Sequence, residues 1–264
     1  MEFADGKIIA RAQDGVGTVV FNQPEKRNAM SIAMWDGLAG ALDAFAADAA
    51  VRCVVLEGAG GKAFVSGADI SQFEQNRSDA EAQRHYNAKT SHGRRKLAEF
   101  PKPVIAKIQG FCMGGGLAIA MACDMRIAGT GSEFGIPAAR LGIAYGFDMV
   151  KNLVSLVGPA HAHFILMTGE RITAEEAERM GLINRLHPAE SLDAEVAKIT
   201  ATIARNAPLS LLANKRTVRA VLNDAADRDM AALAAAADAC FDSADYREGR
   251  RAFMEKRRPV FTGR

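Results

Sequence analysis

Aromatic side chains are scarce in this chain: one Trp, three Tyr and 13 Phe make up 6% of 264 residues. That leaves little from which to build the stacking platforms on which single-stranded nucleic acids lie. An excess of one charge is missing too. Thirty-three Lys and Arg stand against 31 Asp and Glu, a formal net charge of +2, which gives no field for coating a polyanion. The four cysteines, Cys53, Cys112, Cys123 and Cys240, contain no CxxC pair, so neither a zinc site nor a disulfide framework is indicated. No uninterrupted apolar run approaches the roughly 18–20 residues that span a bilayer, and MEFADGKIIA lacks the basic stretch and apolar core of a secretory signal. These absences point to a cytoplasmic, reduced, soluble protein without nucleic-acid, membrane or metal partners. What is present is ordinary: 49% hydrophobic and 24% charged residues. That balance excludes a largely disordered chain, a collagen-like repeat and a disulfide-stapled miniprotein.

The length suits one domain with an appendage. KIIARA and TVVFN flank a QDGVG turn and read as a hairpin. Ser31 is a helix N-cap before an Ala/Leu-rich amphipathic stretch to about Ala47. VRCVVLEG, PVIAKIQG and DMRIAG are short β-branched runs, the signature of buried strands. Residues 72–99 are polar with helical periodicity, Leu117 to Cys123 reads as a helix, and FGIP as a turn. From about Met149 onward the pattern is helical apart from a short run at GLINRL, ending in the basic tail EGRRAFMEKRRPVFTGR. Strand–helix alternation over the first two thirds predicts an α/β layered core. The division expected is a core over 1–195 and a helical oligomerisation region over 196–264.

Two segments carry chemistry. In IQGFCMGGGLAIAMACD a strand runs into Gly114, Gly115 and Gly116 and then a helix. That arrangement presents unpaired N–H groups and the positive end of the helix dipole to developing negative charge. No Gly-Lys-Ser/Thr follows, and no GxGxxG with a later ribose-binding acid, so neither nucleotide fingerprint applies. AFVSGADI, residues 63–70, also places a glycine after a β-like run. Two such backbone elements, 47 residues apart, have the makings of a two-donor oxyanion hole.

Several motifs in one order resemble the crotonase (enoyl-CoA hydratase/isomerase) superfamily. They are NQPEKRNAM, GKAFVSGADI, PKPVIAKIQGFCMGGGLAIAMACDMRIA, FGIPAARLGI, TGERITAEEAERMGLIN and EGRRAFMEKRRP, spread over nearly the whole chain. The resemblance implies a spiral of ββα units followed by a helical trimerisation region, in a homotrimer or a dimer of trimers. It implies acyl-CoA thioesters as substrates, with coenzyme A arriving as part of the substrate and no separate cofactor. By motif position the thioester carbonyl would be held by the N–H groups of Ala68 and Gly115. Lys26 and Arg27 would lie near the CoA phosphates, with Asp69 and Ile70 beside Ala68 in the binding segment. Phe253 and Lys256 resemble the stretch that completes a neighbour's CoA site.

The same resemblance marks departures. The two glutamates with which the family's hydratases handle water and proton fall at Ala118 and Ala138. Alanine cannot transfer a proton, so a general acid/base contribution of about 10²–10⁴-fold per group is missing. The isomerase bases would fall at Ala138 or Gly146, and the dehalogenase nucleophile at Gly146. LGIAYG resembles a segment of malonyl-type acyl-CoA decarboxylases, which puts Tyr145 at their functional tyrosine, although those enzymes carry histidine where this chain has Ala68. Loss of CO₂ needs a stabilised enolate rather than a strong base, and a phenol can donate a hydrogen bond to a substrate carboxylate. Three readings follow: a lyase or isomerase with non-standard acid/base groups, a decarboxylase using Tyr145, and a non-catalytic acyl-CoA binder. Ordinary enoyl-CoA hydration is not expected. Bland roles are assigned elsewhere: Asp69 and Asp124 to turn and cap geometry, Arg140 and Asp148 to exposed ion pairs, His85 and His92 to a solvated helix face, and His161 and His163 to the start of a helix. Tyr145 itself also fits a wall tyrosine whose hydroxyl meets a carbonyl.

Overall fold

Asp14 and Gly15 both adopt left-handed backbone (φ 50° and 81°), which matches the twist of a two-residue hairpin turn. They join β2 (Ile8–Gln13) to β3 (Val16–Phe21) in antiparallel register, with β1 (Glu2–Phe3) on the outer edge. This computed structural model describes residues 1–69 and 80–264. From β3 the chain passes through a 3-10 turn, Pro24–Lys26, into α1 (Ile32–Ala47). Ser31 caps that helix as expected, its hydroxyl accepting the Met34 N–H at 3.3 Å. Met34, Trp35, Leu38, Leu42 and Phe45 recur at helical spacing and are buried.

Beyond α1 the chain winds in repeated turns, each placing one strand in a large sheet and the next in a small one. β4 (Cys53–Gly58), β6 (Val104–Ile108) and β8 (Met125–Gly129) join the large sheet in parallel, completed by β11 (Arg185–His187). β5 (Ala63–Val65), β7 (Phe111–Met113) and β9 (Glu133–Gly135) run parallel in the small sheet, edged by antiparallel β10 (Ile172–Thr173). Helices α2 (Ala80–Glu99), α3 (Gly115–Ala122) and α4 (Phe147–Thr168) follow successive strand pairs. This is the ββα spiral. Its central parallel strands β4, β6 and β8 are buried on both faces, as parallel strands are. Val54 and Leu56 enter the main core, while Val55, Ile105 and Ile127 meet Leu192 and Val196 of α6 (Leu192–Ala204).

Several boundaries differ from the sequence reading. Phe134 and Gly135 belong to a strand, because a fully buried Phe134 pairs with β7; the turn comes after them, as a 3-10 segment over Pro137–Leu141. Helix α4 starts at Phe147 and breaks at Gly158 (φ 72°, ψ 167°), where the following Pro159 removes a donor. β10 and the short helix α5 (Ala174–Arg179), closed by a Thr173/Glu176 capping box, interrupt the expected helical run. The run at GLINRL does end in a strand. Of the helical stretch expected over 72–99, residues 72–79 lie outside the described residues. The last stretch is four helices rather than one, α6, α7 (Pro208–Val221), α8 (Met230–Asp242) and α9 (Ala244–Met254), with a non-helical tail.

Asp124 ties α7 to the spiral. Its Oδ2 accepts the Val104 N–H and Lys215 Nζ, both at 2.7 Å, and Lys215 also donates to the Lys102 carbonyl. Burial pushes the Lys215 ammonium down to about 8, against the pull of Asp124. Above that pH and up to the ordinary lysine range, the unfolded chain holds a proton here that the folded chain has released. This group's contribution to stability therefore rises with pH across that window. Denaturant unfolding of wild type and Lys215→Met at pH 8 and pH 10 is expected to show wild type gaining on the variant; a constant difference would refute the assignment.

Cys53, Cys112 and Cys123 are buried free thiols. Burial raises all three, Cys53 to about 11 and Cys123 to about 12. Among the described residues no group of three or more His, Cys, Asp or Glu has the makings of a metal site, and no helix is long and apolar enough to cross a membrane.

Candidate active site

Parallel pairing of β5 with β7 aligns Val65 with Cys112 and carries the segments that follow each strand to the same place. Ala68 forms an isolated parallel bridge with Met30: Met30 N–H donates to the Gly67 carbonyl (2.8 Å) and Asp69 N–H to the Met30 carbonyl (3.0 Å). In such a bridge the central residue's own N–H points away from its partner. Gly115 stands beside Ala68: an added β-carbon there would lie 3.7 Å from the Ala68 nitrogen. Gly115 is the first residue of α3, where N–H groups have no intrahelical acceptor and the helix dipole is positive.

Each glycine of the triplet answers a different demand. Gly114 has φ 50° and ψ −115°, a conformation closed to residues with a β-carbon. At Gly115 a side chain would project beside Ala68 N. At Gly116 a β-carbon would overlap the Val65 carbonyl oxygen and stand 2.7 Å from its carbon, so α3 can pack on β5 only without one.

Tyr145 lies on a loop whose neighbours from Ala139 to Asp148 are exposed, yet its ring packs against the main core. The hydroxyl donates to the Gly114 carbonyl at 3.0 Å. Burial raises its pKa well above the usual phenol range, with Cys112 adding to the effect. Ala118 and Ala138 are both half-buried, and neither position offers a proton-transferring group.

A sequence model described as enoyl-CoA hydratase/isomerase matches residues 11–264. The chain belongs to the enoyl-CoA hydratase/isomerase family. It is 37% identical to a crotonyl-CoA hydratase of Syntrophomonas wolfei over 254 residues, covering 96% of this chain and 97% of the relative. It is 34% identical to a short-chain-enoyl-CoA hydratase of Clostridium acetobutylicum over 252 residues, 95% of each chain. Among solved structures, an enoyl-CoA hydratase/carnithine racemase from Magnetospirillum magneticum superposes with a TM-score of 0.92 at 35% identity, covering 99% of this chain and 97% of that one. The crotonase fold expected from the motifs is therefore the fold observed.

On this family member's surface, Lys26 Nζ sits 2.8 Å from Asp69 Oδ2, so two residues assigned to substrate binding also pair with each other. The Arg27 guanidinium lies 5.0 Å from the Phe111 ring, and Arg171, which pairs with Glu133, lies at the same distance from it. No local pattern signalled these contacts, because Phe111 and Arg171 are 60 residues apart and are brought together by the small sheet. Ile70 lies outside the described residues. Phe253 is 82% exposed and Lys256 is exposed just beyond α9; among the described residues neither side chain is hydrogen-bonded to the Ala68–Gly115 region. Arg140 donates to the Thr168 carbonyl, and among the described residues neither it nor Asp148 forms the ion pair expected. His85, His92, His161 and His163 are exposed, the latter pair just after the break at Gly158.

Proposed function

We propose that this chain is an acyl-CoA enzyme that stabilises a thioester enolate, or an equivalent oxyanion, between the N–H groups of Ala68 and Gly115. In this reading it does not hydrate enoyl thioesters through a carboxylate pair. What supports the reading is the approach of Gly115, which opens α3 with no intrahelical acceptor for its N–H, to the Ala68 nitrogen, beside alanines at 118 and 138. Donors aimed at developing charge in a partly enclosed site act most strongly in the transition state, where the charge appears. The reaction class that suits them is one whose barrier is set by the enolate itself, a lyase or isomerase step. The hydratases among the relatives support a short enoyl or related acyl thioester as substrate. Lys26 and Arg27 supply positive charge for the CoA phosphates, and the exposed Phe253 and Lys256 suit a neighbouring protomer's CoA site in a trimer or a dimer of trimers. A decarboxylase reading gains less, because the Tyr145 hydrogen that would meet a substrate carboxylate is donated to Gly114.

The test is loss of enoyl absorbance with crotonyl-CoA, run beside direct binding. Saturable binding is expected, with hydration lower than that of a family member carrying both glutamates by at least the factor of about 10²–10⁴ that one such group supplies. Hydration at an ordinary kcat of about 10 s⁻¹ would show that other groups supply acid and base, and would overturn the exclusion. Tight binding without turnover across enoyl, β-ketoacyl and malonyl thioesters would leave a binding protein and overturn the enzymatic reading.

A further inference from the structure

The peptide between Gly114 and Gly115 is the weakest point of the proposed oxyanion hole. Its N–H is one of the two donors, and a link between two glycines has no β-carbon on either side to restrain its rotation. Its orientation must therefore be imposed from elsewhere, and the only handle is the carbonyl at its other end. A trans peptide is planar, with N–H and C=O pointing in opposite directions. Whatever holds the Gly114 oxygen therefore aims the Gly115 hydrogen.

Two donors hold that oxygen. The Ala118 N–H reaches it at 3.0 Å as the first bond of α3, and the Tyr145 hydroxyl reaches it at 3.0 Å from the other side of the chain. The Gly114 N–H is itself anchored on the Gly135 carbonyl at 2.8 Å. The helix bond alone leaves the peptide plane free to rock about one contact, whereas a second donor on the remaining lone pair fixes it. Donation to a carbonyl also polarises the amide, so that its N–H becomes a better donor in turn. Tyr145 is the one inward-packed side chain of an otherwise exposed loop, and its hydroxyl ends on this oxygen.

We propose that Tyr145 is a positioning residue for the oxyanion hole, acting through the Gly114–Gly115 peptide rather than by touching the substrate. The proposal rests on the reading of Gly115 N–H as an oxyanion donor. It assigns the tyrosine a function that does not depend on a carboxylated substrate: the phenol strengthens the hole for any acyl thioester whose carbonyl gains negative charge.

The probe is acetoacetyl-CoA, a β-ketoacyl thioester whose enolate absorbs in the near ultraviolet. The quantity measured is the pH at which the bound probe is half ionised, with Kd and thermal stability recorded in parallel. In wild type this pH should fall below that of the free probe. In Tyr145→Phe the bound enolate should lose about three- to tenfold in its equilibrium, the worth of one hydrogen bond, with little change in Kd for the neutral thioester. Tyr145→3-fluorotyrosine, a more acidic phenol and a stronger donor, should shift the equilibrium the opposite way, and it carries the test if the Phe variant fails to fold. A purely structural tyrosine would lower thermal stability and leave the ionisation of bound probe at the wild-type value in both variants; that result overturns the proposal. Absence of any lowering in wild type overturns the oxyanion reading itself and this role with it, so the two failures are told apart by the wild-type curve.

Discussion

Gly115→Pro is expected to lower turnover of any acyl thioester the protein processes by about 10²–10³-fold, the usual consequence of removing one oxyanion donor. The substitution removes the hydrogen and sets the proline ring where it pointed, so it both withdraws the donor and fills the space in front of it. Gly115 is the first residue of α3, a position where proline is well tolerated since its missing N–H has no intrahelical acceptor to lose. The backbone bonds that build the site, Ala118 N–H to the Gly114 carbonyl and Gly114 N–H to the Gly135 carbonyl, do not involve the Gly115 hydrogen and should survive. Circular dichroism and denaturant midpoint should therefore stay near wild type while the enolate fraction of bound acetoacetyl-CoA collapses. Undiminished turnover in a folded Gly115→Pro protein would remove Gly115 from the mechanism.

The neighbouring glycine should behave in the reverse manner. A β-carbon on Gly116 would overlap the Val65 carbonyl. The atom in the way is backbone, held in β5 by pairing with β7, so it cannot swing aside as a side-chain tip would. Gly116→Ala is expected to cost about 3 kcal/mol or more, at the upper end of overpacking effects, read as a fall in the denaturant midpoint. The cost reports how tightly α3 is seated on the small sheet, the seating that brings Gly115 up to Ala68. A near-neutral Gly116→Ala would mean that α3 does not rest on β5 as described.

These two expectations separate what adjacent residues of one motif do, and the motif string alone does not separate them. GGG followed by an apolar run announced a strand-to-helix turn with exposed donors, and the helix does begin there, at Gly115 rather than Leu117. Which glycine serves backbone conformation, which stands beside Ala68 and which permits packing depends on what stands opposite: nothing within 4 Å at Gly114, Ala68 at Gly115 and Val65 at Gly116. Tyr145 is a parallel case. Its place in LGIAYG marked it for attention, with a substrate carboxylate and a protein carbonyl as rival partners. A single hydroxyl hydrogen goes to whichever acceptor lies within about 3 Å, and the fold puts Gly114 there.

By itself the sequence determined the features whose causes are local. Asp14-Gly15 dictates the hairpin, Ser31 the start of α1, and the β-branched runs the strands buried on both faces. The ordered motifs pointed to the family, and alanines at 118 and 138 leave those two positions without a proton-transferring group. Only the tertiary structure decided that strands alternate between two sheets, that Phe134 pairs instead of turning, that Lys26 meets Asp69, and that Ala68 and Gly115 stand together. Those facts depend on parallel pairing between segments 20 to 50 residues apart, where register follows from burial of whole faces and not from any turn written in the chain.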